Sequence, residues 1–189
     1  FDQGKMWTFE NPPVDYFEQR YGFRPDSTWF RKARLGALRF GGNCSGSFVS
    51  PNGLIMTNHH CGRESITKVS RSGENLLDNG FYAERMEAER RVPDLYVEQL
   101  VEIEDVTDRV YAVEQQSRIR SGDARAQQRQ QQVERLQEQM TQAAKQRDEQ
   151  LRVEITGLYS GSRYSAYTFR RHEDVRLVMA PELQVGFFG

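Results

Sequence analysis

Two β-prone runs, Ser47-Phe48-Val49-Ser50 and Leu54-Ile55-Met56-Thr57, flank Pro51-Asn52-Gly53 and lie between the only two cysteines, Cys44 and Cys61. Asn-Gly supplies the positive-φ positions that a tight turn requires, so this block is predicted to be a β-hairpin. Sixteen residues separate the cysteines. On neighbouring strands they can meet at disulfide distance, and a bridge closing such a loop contributes about 3 kcal/mol. Two free, buried thiols are the other reading, and composition leaves both open. Cys61 with His59 and His60 has no ligand-like spacing to a second pair. No metal site and no cofactor are therefore expected.

The flanking sequence sets the architecture. Val14 to Tyr21 is predicted to be a short helix started by Pro12-Pro13. A second runs from Asp26 or Ser27, as N-cap, to about Leu38, with Trp29, Phe30, Ala33, Ala37 and Leu38 on one face. The aromatic residues of this arm read as packing residues rather than a ligand cage. Asn79-Gly80 reads as a turn, Phe81 to Arg91 as a helical segment, and Leu95 to Val106 as a long strand. That strand carries Val97, Val101 and Ile103 on one face and Glu98, Glu102 and Glu104 on the other. From Ser121 to Arg152 the chain holds no aromatic residue and is dense in Gln, Arg and Glu. Val133, Leu136, Met140 and Ala143 form a narrow apolar stripe on a long helix, too short for a coiled coil. Ser121-Gly122-Asp123 breaks an earlier helix, Val106 to Arg120, from this one. The pair is expected to project as a helical hairpin serving as solvated packing or a lid, or less simply as a dimer seam. Ile155 to Tyr159, Tyr164 to Arg171 and Val175 to Met179 return to strand, with Ser160-Gly161-Ser162 as a turn. The fold class is thus mostly β with a helical insertion. Gly36 with Gly41-Gly42 is not a phosphate loop, since no strand–turn–helix frames it.

The formal net charge of -1 gives no electrostatic case for nucleic acid or for an anionic membrane surface. No apolar run approaches the roughly 20 residues of a membrane span. A mean hydropathy of -0.78 implies that part of the chain is a solvated element with little core. The chain begins at Phe1 and shows neither a basic n-region nor an apolar h-region. A signal peptide is expected to have been removed, or the chain to be a piece of something longer. Gln184-Val185-Gly186-Phe187-Phe188-Gly189 reads as a strand running into a glycine turn, an apolar end expected to mark truncation, the other reading being a C-terminus tucked into a partner or core.

A serine nucleophile is weak at neutral pH and requires an adjacent base. Histidine suits this role because its ordinary pKa, about 6.5, is close to working pH. Here the hairpin and the residues after it, Cys44-Ser45-Gly46-Ser47-Phe48-Val49 and Leu54-Ile55-Met56-Thr57-Asn58-His59-His60-Cys61, are similar to the N-terminal strand pair of chymotrypsin-like peptidases. Gly46 to Leu54 with Thr57-Asn58-His59-His60 resembles, more narrowly, the S46 peptidase family, the bacterial dipeptidyl-peptidases 7 and 11. Met6-Trp7-Thr8-Phe9, Tyr21-Gly22-Phe23, Asn79-Gly80-Phe81-Tyr82-Ala83, Ile103-Glu104-Asp105-Val106-Thr107 and Asp174 to Val178 with Ala180-Pro181-Glu182 extend the match.

The resemblance implies a chymotrypsin-like β-barrel portion plus a long helical hairpin, an incomplete double β-barrel. Residues 1–38 would be an N-terminal arm with short helices, and 39–189 the first part of the peptidase domain, with the hairpin inserted at about 107–152. His60 carries over as the catalytic base. His59 is left as a supporting or packing residue, and His172 as a strand-surface residue. Cys44 and Cys61 carry over as a disulfide, which implies an oxidising, periplasmic or secreted setting. The family's Asp-Asn pair, triad aspartate and serine nucleophile would lie beyond Gly189, and neither Asp105 nor Asp174 matches them. The implied function is a serine dipeptidyl-peptidase acting on peptide substrates, with the rest of its own chain and a possible homodimer or larger assembly as partners. The alternative is a non-catalytic, peptidase-derived piece kept as a structural or interaction subunit. A polar helical adaptor ranks last, because it leaves the strand pair unexplained.

Overall fold

The computed structural model describes residues 7–116 and 121–187. In chain order the helices are α1 (Val14–Tyr21), α2 (Ser27–Gly36), α3 (His59–Val69), α4 (Leu76–Asn79), α5 (Thr107–Gln116), α6 (Gly122–Arg147) and α7 (Leu183–Gly186). The strands are β1 (Ala37–Phe40), β2 (Cys44–Phe48), β3 (Ile55–Thr57), β4 (Phe81–Tyr82), β5 (Arg90–Arg91), β6 (Val97–Asp105), β7 (Leu151–Leu158), β8 (Arg163–His172), β9 (Arg176–Leu177) and β10 (Met179–Ala180). One six-stranded sheet has the order β3-β2-β1-β6-β8-β7, and two short pairs, β10-β4 and β5-β9, accompany it. A sheet-based fold with an inserted helical hairpin is what the sequence implies and what the chain adopts. It divides into two compact units, Phe1–Gly36 with Leu100–Phe169, and Ala37–Gln99 with Arg170–Gly189.

In the first unit α1 follows Pro13 and ends where Gly22 takes a left-handed conformation, φ 64°, its N–H donating to Glu18 O at 2.9 Å. Asp26 caps α2: its carboxylate accepts the Trp29 N–H at 2.7 Å. Aromatic side chains of α1 and α2 pack edge-on, Phe17 on Phe30 at 6.2 Å between centroids, and Phe23 from the link between them stands edge-on to Trp29 at 5.7 Å. Glu10 ties this arm to β8. Its carboxylate accepts the hydroxyl of fully buried Ser165 at 2.6 Å and that of Tyr167 at 3.3 Å.

The hairpin α5–α6 supplies core rather than a projecting arm. Val106, Val110, Val133, Leu136, Ala144, Leu151, Val153, Ile155 and Ala166 form one buried cluster. The apolar stripe continues from Met140 to Ala144, not Ala143, which is exposed. A straight helix advances 3.6 residues per turn, so a four-residue step keeps the stripe facing the sheet. Residues 117–120 of the predicted first helix lie outside the described residues. Strand β7 is an edge strand, and α6 satisfies its outward backbone groups. Val153 N–H donates to Thr141 Oγ1 at 3.1 Å and Ile155 N–H to Gln137 Oε1 at 2.9 Å.

In the second unit the predicted β-hairpin is present. β2 and β3 pair antiparallel with Gly46 opposite Thr57 and Phe48 opposite Ile55, and Gly53 takes φ 87° in the turn. β1 pairs antiparallel with both β2 and β6. This pairing is why α2 stops at Gly36 and Leu38 becomes a buried strand residue instead of a helical one. Leu38, Phe40 and Val97 form a core flanked by Cys44, Phe48, Ile55 and Cys61. Ile66, Leu76 and Ala180 form a second.

Two sequence expectations fail in this unit. Phe81 to Arg91 is not a helix; β4 and β5 bracket a single 3-10 turn, Met86–Ala88. β4 pairs with β10 and β5 with β9, and Ala83 N–H donates to Val178 O at 2.8 Å. Partners nearly a hundred residues away overrode local propensity. The tail is not a strand: Leu183–Gly186 forms one turn of helix, with the Val185 and Gly186 N–H groups on Glu182 O. Phe188 and Gly189 lie outside the described residues.

Candidate active site

Strand β3 ends at Thr57, whose hydroxyl donates to Ser45 O across the hairpin at 2.7 Å. Asn58 stays extended, φ -70° and ψ 145°, and its carbonyl accepts the Cys61 N–H at 3.0 Å. The chain then enters α3 at His59, so His60 is the second residue of a helix and is exposed. The sequence places His60 correctly, just past the strand. It does not announce the helix, because among the eleven residues of α3 only Ile66 is buried and no apolar stripe repeats. Asn58 was the available signal, an N-cap residue type directly before the turn.

Cys61 is joined to Cys44 at a Cα–Cα distance of 6.1 Å. The bond resolves the choice that composition left open. One ligand-type atom from each of Cys44, His60 and Cys61 lies within 4.8 Å of the others. With both sulfurs committed to the disulfide, no thiolate remains there to ligate a metal.

The other end of α3 is also held. Arg90 donates to Val69 O at 2.9 Å and makes a two-pronged ion pair with Glu74, its guanidinium lying 4.8 Å over the Phe81 ring. The pairing with Arg90, helped by the Arg71 N–H, pulls the Glu74 carboxyl down to about 2.

The remaining candidates sort themselves by their contacts. His59 is half-buried and packs on Gly186; among the described residues neither ring nitrogen has a hydrogen-bond partner. His172, at the end of β8, stands edge-on to Phe48 at 6.0 Å. Asp105 accepts the N–H and hydroxyl of Thr107 at 3.0 and 2.6 Å and so caps α5, which lowers its pKa. Asp174 is bound two-pronged by Arg176 at 2.8 and 2.9 Å, which lowers its pKa likewise. Both acids thus have structural work. Glu98, on the face the sequence shows as acidic, is buried and paired with Arg171 at 2.9 Å. Arg171 in turn lies 4.0 Å over the Tyr96 ring. A cavity of about 660 Å³ in the first unit, lined by Phe9, Phe30, Arg31, Arg34 and Glu102 among others, includes none of the residues 57–61.

With this geometry in view, the whole chain, residues 1–189, matches the profile of Peptidase S46. The chain belongs to the S46 peptidase family. It is 37% identical over 150 residues to dipeptidyl-peptidase 7 of Porphyromonas endodontalis, 79% of this chain and 18% of that protein. It is 34% identical over 170 residues to the Asp/Glu-specific dipeptidyl-peptidase of Porphyromonas gingivalis, 88% of this chain and 23% of that one. The crystal structure of Porphyromonas endodontalis DPP11 in complex with substrate superposes with a TM-score of 0.75 at 28% identity. That match covers 97% of this chain and 27% of the other. This S46 chain therefore spans about a fifth of the length of the curated relatives it matches. Among its described residues no helix is long and apolar enough to cross a membrane.

Two contacts of this candidate site are invisible in the sequence. Gly186 meets His59 from 127 positions away. Arg63 donates to Phe187 O at 3.4 Å and lies 5.6 Å over its ring. Neither has a local signature, because both arise only when α7 folds back on α3.

Proposed function

We propose that this chain is the N-terminal part of a serine dipeptidyl-peptidase and that His60 is its general base. The observation that carries this reading is the placement of His60. It is exposed on the first turn of α3, immediately after β3, and the next residue is tethered by the Cys44–Cys61 bond. Family membership supports it. In this reading residues 39–189 are the first part of a chymotrypsin-like peptidase domain, with 1–38 as an arm and the helical hairpin of about 107–152 inserted.

The chemistry is acyl transfer on a peptide with a free amino terminus. A serine hydroxyl from elsewhere in the longer polypeptide attacks the carbonyl carbon of the second residue, and its proton passes to the His60 imidazole. Collapse of the tetrahedral intermediate breaks the C–N bond, and the imidazolium returns that proton to the leaving amine. Water then attacks the acyl-enzyme carbonyl, His60 taking its proton; collapse breaks the ester C–O bond, the imidazolium returns that proton to the serine oxygen, and the dipeptide leaves. A carboxylate must hold the far ring nitrogen; Asp105 and Asp174 are not assigned to this. The disulfide favours a periplasmic or secreted setting. A homodimer is part of the same proposal.

The test is hydrolysis of dipeptidyl-amide substrates by the full-length protein. His60→Ala should cut kcat by about 10²–10⁴-fold. Unchanged turnover in that variant would sink the assignment.

A further inference from the structure

The first turn of α3 presents an arrangement that the proposed chemistry does not by itself require. His60 stands between two anchored neighbours. Cys61, on one side, is bonded to Cys44 of β2. His59, on the other, packs its ring against Gly186 in α7. A Cβ built on Gly186 would lie 2.6 Å from His59 Cδ2 and 2.8 Å from Nδ1, and closer still to Cγ. These ring atoms sit near the root of the side chain, which cannot simply swing away.

The glycine is not there for its backbone. Gly186 is absent from the positive-φ glycines and lies in helical geometry, where alanine is favoured over glycine by about 1 kcal/mol. Nor is the ring held by hydrogen bonds: among the described residues neither His59 nitrogen has a partner. Shape alone accounts for the contact. One turn further along, Arg63 reaches the same segment through Phe187 O at 3.4 Å and through the Phe187 ring. His59 and Arg63, four apart, share one face of α3; His60, about 100° round the helix from His59, is directed elsewhere.

We propose that Gly186 is a positioning residue for the base. Its bare Cα is the surface on which the His59 ring rests, and that contact sets the direction in which His60 leaves the helix. The proposal rests on the reading of His60 as the base. A side chain at 186 displaces the His59 ring, rotates the first turn of α3 and moves the imidazole of His60 away from the hydroxyl it serves. A misplacement of about 1 Å can cost on the order of 10²-fold in rate.

The experiment is steady-state kinetics of the full-length protein on a dipeptidyl-amide substrate, with circular dichroism to verify folding. Gly186→Ala is expected to lower kcat at least tenfold with KM within twofold. Adding His59→Ala to Gly186→Ala removes the obstacle, so the double variant should turn over no more slowly than His59→Ala alone. Replacing His59 by Phe should recover kcat at least fivefold relative to His59→Ala, because a ring of similar shape rests on the glycine again. Wild-type kcat in Gly186→Ala, or a double variant as slow as the product of the singles, overturns the proposal. If Gly186→Ala does not fold, the comparison of His59→Phe with His59→Ala decides, and equal kcat in the two overturns it. His60→Ala separates the two readings. Retained turnover there removes the base assignment, whereas lost turnover combined with normal kinetics in Gly186→Ala removes only the positioning role.

Discussion

Replacing Cys44 and Cys61 together by alanine should destabilise the protein by about 3 kcal/mol. The bonded residues are 17 apart in sequence, and closing a loop of that length in the unfolded chain removes an entropy equivalent to about 3 kcal/mol at 25 °C. For a chain of this size that corresponds to a fall in Tm of about 6–12 °C. The β2–β3 pairing survives in the folded state, since the hairpin keeps its three ladder positions and the Thr57–Ser45 bond. The effect therefore falls mainly on the unfolded ensemble, which becomes less compact. Urea unfolding distinguishes this from damage to the native core: the midpoint should fall and the slope m should rise, because a larger surface is exposed on unfolding. The wild type in reductant should behave like the double variant. A loss below about 1 kcal/mol with unchanged m would refute the reasoning, since it would mean that the hairpin closes the loop equally well without the bond.

Other outcomes follow from particular contacts. Ser165→Ala removes the donor to Glu10 from a fully buried position; hydrogen bonds to charged groups are worth about 1.5–3 kcal/mol, and chemical denaturation should show a loss in that range. Ala143→Glu, at an exposed position, should change stability by less than about 0.5 kcal/mol, whereas Ala144→Glu buries a charge in the α6–β7 core and should cost several times more, read from the same curves. Glu74 has a folded pKa of about 2 against an ordinary value of 4.5. Its depressed pKa gives a stabilisation fully present above 4.5 and lost as pH falls from there towards 2. The pH dependence of stability over that window should flatten in Arg90→Leu; an unchanged slope would show that Arg90 is not the cause.

The elements legible in the sequence were those with local causes. Pro12-Pro13 and Asp26 mark the starts of α1 and α2, Asn52-Gly53 marks the hairpin turn, and the alternation from Val97 to Glu104 marks β6. The stripe on α6 was readable, although its last member moved from Ala143 to Ala144 once β7 supplied a surface to face. Segments whose partners are remote were misread. Phe81 to Arg91 became two short strands because residues 176–180 offered ladders to them. The tail became one turn of helix rather than a strand because it packs against α3 and α4.

The same division runs through the site. Sequence alone determined that a histidine follows the hairpin directly, that a cysteine follows the histidine, and that the resemblance reaches the S46 peptidases. Those facts are carried by contiguous residues and need no fold to be seen. Only the tertiary structure decided that Cys61 is bonded to Cys44, that His60 stands on the first turn of a helix, and that His59 rests on Gly186. A bond or packing contact between distant positions depends on where the intervening chain goes. That path is set by burial and pairing across the whole unit, which no local pattern records.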